Sequence, residues 1–146
     1  MKTVKISKKY ITSTFEKEDF DIFKTELFIY LLGQQKKISY IPKLVDYDCS
    51  KLILKTENVG ISLQEYLDEY GADLYFFIPT IKKIYDRFVK VGYYHNDLRL
   101  KNIIINPETE KLYLIDFEFT DTKYKDLDEE NIVKKIKRKS KTKSKS

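Results

Sequence analysis

Residues 95–118 hold His95-Asn96-Asp97-Leu98-Arg99-Leu100-Lys101-Asn102, two short apolar runs and then Asp116-Phe117-Glu118. Asp97 and Asn102 share one loop. The runs over 103–105 and 112–115 read as strands joined by a turn, and a hairpin brings its two ends together. Asp116 thereby returns to the loop of Asp97 and Asn102. Two carboxylates and an amide are all oxygen donors. Such a set suits Mg²⁺, which takes one or two carboxylates together with substrate phosphates. The plainer alternative is a pair of loop residues making side-chain-to-backbone turns. The joint spacing with Asp116 weighs against it.

The elements needed to position these groups are legible upstream. Residues 2–15 mix β-branched and charged types and read as one or two short strands. Residues 18–32 repeat apolar positions at helical spacing (Phe20, Phe23, Leu27, Tyr30) and end at Gly33. Residues 41–45 and 51–56 read as strands, with Pro42 near the start of the first. Ser62-Leu63-Gln64-Glu65 is a capping box, and Gly71 is a left-handed stop for the helix it opens. A longer helix is expected over 79–91, with Ile81, Ile84, Phe88 and Val91 on one face. A last helix is expected over 128–137. His95 reads as a structural residue that packs the loop against Phe117.

Composition bounds the classes. The chain has 146 residues, 28 Lys plus Arg against 23 Asp plus Glu, and a formal charge of +5. Eight of the positive charges lie in residues 134–146, which contain no acid, so residues 1–133 carry −3. A mildly acidic body with a basic tail is not a basic nucleic-acid-binding domain. The length suits one domain, and 42% hydrophobic residues suffice for a core. One cysteine, Cys49, allows no internal disulfide, and one histidine excludes a multi-His zinc site. No apolar run is long enough to span a membrane, and the first residues lack the apolar stretch of a signal peptide. A cytoplasmic protein is expected, or a nuclear one if the tail is an address. The Lys-Ser/Thr alternation over 139–146 predicts a disordered tail. Its lysines suit a weak nucleic-acid contact, a localisation signal or simple solvation.

The motif from His95 to Asn102 followed by Asp116-Phe117-Glu118 resembles the catalytic loop and metal-binding segment of the protein-kinase-like superfamily. The upstream elements fit in order over roughly residues 4–120. The resemblance implies an α+β two-lobe fold, with a truncated sheet-and-helix N-lobe over 1–58 and an abbreviated helical C-lobe over 59–133, followed by the tail over 134–146. It implies ATP and Mg²⁺ as cofactors and phosphoryl transfer by positioning and charge neutralisation. Asp97 would accept the proton of the acceptor hydroxyl. Asn102 and Asp116 would hold Mg²⁺, and Arg99 or Lys101 would steady the γ-phosphate. Glu26 would be the ion-pairing helix glutamate and Lys5 its lysine, with Lys9 as second choice. Backbone groups of Glu57 and Val59 would hold adenine, with Thr56 guarding the pocket behind them.

The chain also departs from the family pattern. The glycines stand at 33, 60, 71 and 92, so no Gly-rich phosphate loop precedes the first helix. No Ala-Pro-Glu segment follows Glu118. These departures motivate a pseudokinase, a binding module or a core that needs an activating protein partner. His-Asn-Asp-Leu with Ile115-Asp116-Phe117-Glu118-Phe119 is similar to choline, ethanolamine and aminoglycoside kinases and implies a small hydroxyl substrate. Arg99 and the short connection from Gly71 to Tyr94 are similar to protein kinases and imply a protein Ser/Thr hydroxyl, which is the reading narrowly favoured.

Overall fold

The computed structural model describes residues 2–125 and Ile132. The helix expected over 128–137 and the tail over 134–146 lie outside the described residues. The chain forms β1 (Thr3–Ile6), β2 (Tyr10–Thr14), α1 (Phe20–Gln35), β3 (Leu44–Asp48) and β4 (Ile53–Glu57), then β5 (Ile61–Ser62), α2 (Leu63–Tyr70), α3 (Leu74–Val91), β6 (Ile103–Ile105) and β7 (Leu112–Leu114). Strands β1 to β4 make one antiparallel sheet in the order β1-β2-β4-β3. Strands β5, β6 and β7 make a second, small sheet in chain order. This is the α+β architecture expected from the sequence.

Helix α1 buries Phe23, Glu26, Ile29, Tyr30 and Gly33, a stripe at spacings of three and four. The helix runs to Gln35, past Gly33, where the sequence suggested a stop. Gly33 stays helical because Ile41 packs against it: a Cβ there would lie 3.1 Å from the Ile41 side chain. Helix α3 likewise begins earlier than expected. Asp73 caps it by accepting from the Tyr75 amide at 3.0 Å, so Pro79 sits inside the helix rather than at its start. The Ser62 hydroxyl accepts from the Glu65 amide at 3.1 Å, and Gly71 has φ of +63°, as a left-handed cap requires.

One continuous core joins the two sheets. Phe15 and Phe23 pack edge-to-face beneath the first. Ile81, Phe88, Ile103, Ile105 and Leu114 pack beneath the second. Tyr30 of α1 meets Phe117 edge-to-face at 5.4 Å, and the Leu114 amide donates to the Tyr40 carbonyl at 2.8 Å. These contacts fix the hairpin of the acidic residues against α1.

Gly60 is the tight point between the sheets. It has φ of +151°, and a Cβ would lie 2.0 Å from the Ile105 carbonyl oxygen. Gly71 meets nothing within 4 Å. Gly60→Ala is therefore expected to destabilise the chain by clearly more than 1 kcal/mol. Gly71→Ala is expected to cost only the left-handed penalty of about 1 kcal/mol. Denaturant midpoints of the two variants check the ranking.

Candidate active site

Glu26 sits in the middle of the buried stripe of α1 and is only 2% exposed. One carboxylate oxygen accepts from the Phe117 amide at 3.2 Å. The other faces Lys2 Nζ at 3.4 Å, and the same ammonium lies 3.5 Å from Asp116 Oδ1. Lys2 thus joins the helix glutamate to the hairpin aspartate. Burial pushes the Glu26 carboxyl up to about 7, with the negative charge of Asp116 adding to the rise and Lys2 opposing it. Burial works against the Lys2 charge, but Glu26, Asp116 and Glu118 together outweigh it and raise its pKa.

The lysine expected at Lys5 is a correction. Strand side chains alternate between faces. Lys2, Val4 and Ile6 line the cavity beneath the sheet, so Lys5 points to the opposite face and is exposed. Lys9 is also exposed, in the β1–β2 turn, where its carbonyl accepts from the Asn58 amide at 2.9 Å. Strand β2, which immediately precedes the turn into α1, contains no lysine. The cation comes from the neighbouring strand's leading end instead. The apolar Val4 and Ile6, two and four places after Lys2, are the sequence signal for the inward face.

Asp97 is 4% exposed. Its Oδ1 accepts from Arg99 Nε at 3.0 Å, and its Oδ2 accepts from Asn102 Nδ2 at 3.0 Å. Asn102 Nδ2 also donates to the Asp97 carbonyl at 2.8 Å. Asn102 therefore spends its nitrogen on the loop, which makes its carbonyl oxygen the candidate ligand atom. Arg99 is held on Asp97, whereas Lys101 is exposed at the cavity mouth. His95 holds this loop to the hairpin. The Asp97 amide donates to His95 Nδ1 at 3.2 Å, so the proton sits on Nε2, which donates to the Ile115 carbonyl at 2.7 Å. Burial keeps the imidazole neutral by lowering its pKa. With both ring nitrogens engaged and the Phe117 ring packed against it at a tilt, 5.3 Å between centroids, His95 is structural, as its sequence context suggested.

Two backbone outliers aim the acids. Asn96 has φ of +66° and Asp116 has φ of +62°, a region that Asn and Asp tolerate better than most residues. Asn96 is a positioning residue that the sequence reading overlooked. Its Nδ2 donates to the Phe119 and Lys123 carbonyls, both at 3.0 Å, and its Oδ1 accepts from the Lys125 amide at 2.7 Å. It ties the loop to the segment after the hairpin. Glu118 was also missed as a site residue. Oxygens of Asp97, Asp116 and Glu118 all lie within 4.8 Å of one another. Glu118 stands two places after Asp116, with Phe117 turned into the core between them, and that alternation is its sequence signal. The three acids make an all-oxygen donor set of the kind Mg²⁺ takes, and Asn102, bonded to Asp97, has an amide oxygen to add to it.

Above the acids lies a cavity of about 630 Å³, a size usual for a small-molecule site. Val4, Ile6, Leu54 and Ile104 wall it, the buried Thr56 stands at its back and Glu57 to Gly60 form its rim. The Glu57 amide is already spent on the Lys43 carbonyl at 2.9 Å, which leaves the carbonyl of Glu57 and the backbone of Val59 for a ligand. Asn58 Nδ2 donates to the Ser7 carbonyl at 2.8 Å and clamps this rim to the β1–β2 turn. Among the described residues no helix is long and apolar enough to cross a membrane.

The sequence profile described as choline/ethanolamine kinase matches residues 55–134, more than half of the chain. No curated protein matches the sequence. Among solved structures, monomeric WbdD is similar with a TM-score of 0.62 and 16% identity over 83% of this chain and 33% of that one. WbdD is elsewhere described as a bifunctional kinase-methyltransferase. The Cydia pomonella granulovirus kinase PK-1 is similar with a TM-score of 0.64 and 15% identity over 80% of this chain and 44% of that one. The chain thus has a kinase-like fold and spans about a third to less than half of the length of these structures.

The Glu26 environment has a measurable consequence in metal-free protein. A carboxyl raised from 4.5 to about 7 contributes stability that is fully present below pH 4.5 and is lost as pH rises through 7. The loss corresponds to about 3 kcal/mol. Glu26→Gln lacks this titration. Between pH 4 and about pH 8 its unfolding free energy, from denaturant titrations, should therefore gain on that of the wild type by roughly that amount.

Proposed function

Because the chain belongs to the choline/ethanolamine kinase family, we propose that it transfers the γ-phosphoryl group of Mg²⁺-ATP to an alcohol hydroxyl. The observation that carries this reading is the convergence of Lys2, Glu26, Asp97, Asn102, Asp116 and Glu118 on one end of the cavity. Asp116, Glu118 and the Asn102 oxygen would hold Mg²⁺, which when bound supplies charge neutralisation on the triphosphate. Lys2, held by Glu26, adds a fixed positive charge beside Asp116. The rim from Glu57 to Val59 offers backbone groups to a base, and the apolar wall excludes water around it. Asp97, whose two oxygens are oriented by Arg99 and Asn102, accepts the hydroxyl proton. Arg99 acts by orienting Asp97, and Lys101, which lines both the cavity and a neighbouring cleft, would steady the transferred phosphoryl.

The acceptor side is a shallow cleft lined by Ser62, Gln64, Glu65, Asp68, Glu69 and Lys101. Three acids against one lysine favour an acceptor that carries positive charge. Family membership supports an amino alcohol. A second reading, a Ser/Thr hydroxyl in a basic peptide, draws on Arg99 beside Asp97 and on α3 following α2 with only three residues between them. A third, nucleotide binding without transfer, draws on the β1–β2 turn, Ser7-Lys8-Lys9, which has no glycine.

Steady-state transfer assays on amino alcohols and on Lys/Ser peptides separate these readings. Asp97→Asn is expected to lower turnover by about 10²–10⁴-fold. Lys2→Met should lower kcat/KM for ATP by about 10²-fold, whereas Lys5→Met should change it by less than about twofold. Nucleotide binding without transfer to either acceptor class would leave the binding-module reading.

A further inference from the structure

The chain after the hairpin does not simply leave the molecule. Ile132 is 2% exposed within the hydrophobic core, and its amide donates to the Leu98 carbonyl at 2.8 Å. Leu98 is the residue next to Asp97 and is itself 1% exposed. The chain is therefore anchored on the loop that carries the proposed proton acceptor. Beyond the anchor the sequence reads Lys139-Ser140-Lys141-Thr142-Lys143-Ser144-Lys145-Ser146, four hydroxyls each flanked by lysine.

Covalent geometry sets the reach. Ser140 lies eight residues beyond Ile132, and eight residues span up to about 26–29 Å. Leu98 is one residue step, about 3.8 Å between Cα atoms, from Asp97. The hydroxyls of the tail are thus within tether length of the Asp97 carboxylate. Attachment at Ile132 makes their encounter with Asp97 intramolecular. Charge acts in the same direction. Ser62, Glu65 and Lys101 line both the large cavity and the shallow cleft, which Asp68 and Glu69 extend. Acids therefore border the route by which a lysine-flanked hydroxyl would approach.

We infer that the chain phosphorylates its own tail in cis, at one or more of Ser140, Thr142, Ser144 and Ser146. The inference rests on the phosphotransferase reading and specifies an acceptor for it. In the step, the tail hydroxyl oxygen bonds to the γ-phosphorus of a nucleoside triphosphate, and the bond from that phosphorus to the β–γ bridging oxygen breaks. The hydroxyl proton passes to Asp97 and then to solvent. The products are a phosphoserine or phosphothreonine and a nucleoside diphosphate. Each phosphate offsets neighbouring lysine charge, so the reaction would convert the basic tail toward neutrality.

The test uses the full chain, Mg²⁺ and ATP, with phosphate localised by fragmentation mass spectrometry. The expected result is phosphate within residues 140–146, formed at a per-molecule rate that does not change over a tenfold dilution of micromolar protein. Asp97→Asn should abolish it. The combined Ser140→Ala, Thr142→Val, Ser144→Ala and Ser146→Ala variant should lose it while still phosphorylating a free Lys-Ser-Lys-Thr peptide. Without nucleotide, carbodiimide coupling should join a tail lysine to Glu65, Asp68 or Glu69. An unmodified tail in protein that phosphorylates an added amino alcohol or peptide would overturn the inference and leave the phosphotransferase reading standing. So would tail modification whose per-molecule rate rises with protein concentration. No transfer to tail, peptide or amino alcohol would overturn both.

Discussion

A carboxylate withdrawn from water must be paired or neutralised, and Glu26 meets that demand with groups from three distant parts of the chain. Its oxygens face Lys2 at the leading end of β1 and the Phe117 amide beyond β7. The helix that carries it packs through Tyr30 onto the Phe117 ring. Moving α1, the first strand or the hairpin would leave this buried charge exposed to an apolar interior, a cost of several kcal/mol. The first sheet and the acidic hairpin are therefore locked to each other by the same residue that orients Lys2 toward Asp116. Stability and site geometry share one constraint.

The loop of Asp97 is held in the same economical way. Its two carboxylate oxygens, its carbonyl and its amide are each engaged by Arg99, Asn102 or His95. The neutral His95 then reaches across to Ile115, immediately before Asp116. Asn96 and Asp116 occupy left-handed backbone conformations, and such strain persists where surrounding contacts over-determine it. Here Phe117, fully buried, and the three Asn96 hydrogen bonds supply that determination. Asp97, Asp116 and Glu118 gather at one point although their mutual repulsion opposes it, an arrangement that favours a cation among them.

The order of elements and the hairpin that returns Asp116 to the loop of Asp97 were legible because local patterns carry them: the Ser62 cap, the Gly71 stop and the two apolar runs of the hairpin. Glu26 was reached through the family resemblance, as the ion-pairing glutamate of the first helix. The lysine was misread because motif order placed it on the strand, whereas its face depends on a two-residue alternation that a shift of one position inverts. Reading Val4 and Ile6 as the inward pair puts Lys2 in the cavity and Lys5 outside. Gly33 and Pro79 were misplaced as boundaries because tertiary packing on Ile41 and the Asp73 cap override their local preference. Asn96 was overlooked because its partners lie across the loop, at Phe119, Lys123 and Lys125, and Glu118 because its nearness to Asp97 depends on the hairpin.

Ile132, which precedes the basic tail in the sequence, donates its amide to the carbonyl of Leu98, the neighbour of Asp97. All of this depends on the acids and Lys2 forming one Mg²⁺-nucleotide site. Calorimetric titration of a non-hydrolysable ATP analogue, with and without Mg²⁺, into wild type and Asp116→Ala tests that most directly. Wild type should bind in a Mg²⁺-dependent manner, and Asp116→Ala should lose that dependence. Absence of binding to wild type, or equal Mg²⁺-dependent binding by both proteins, would contradict it.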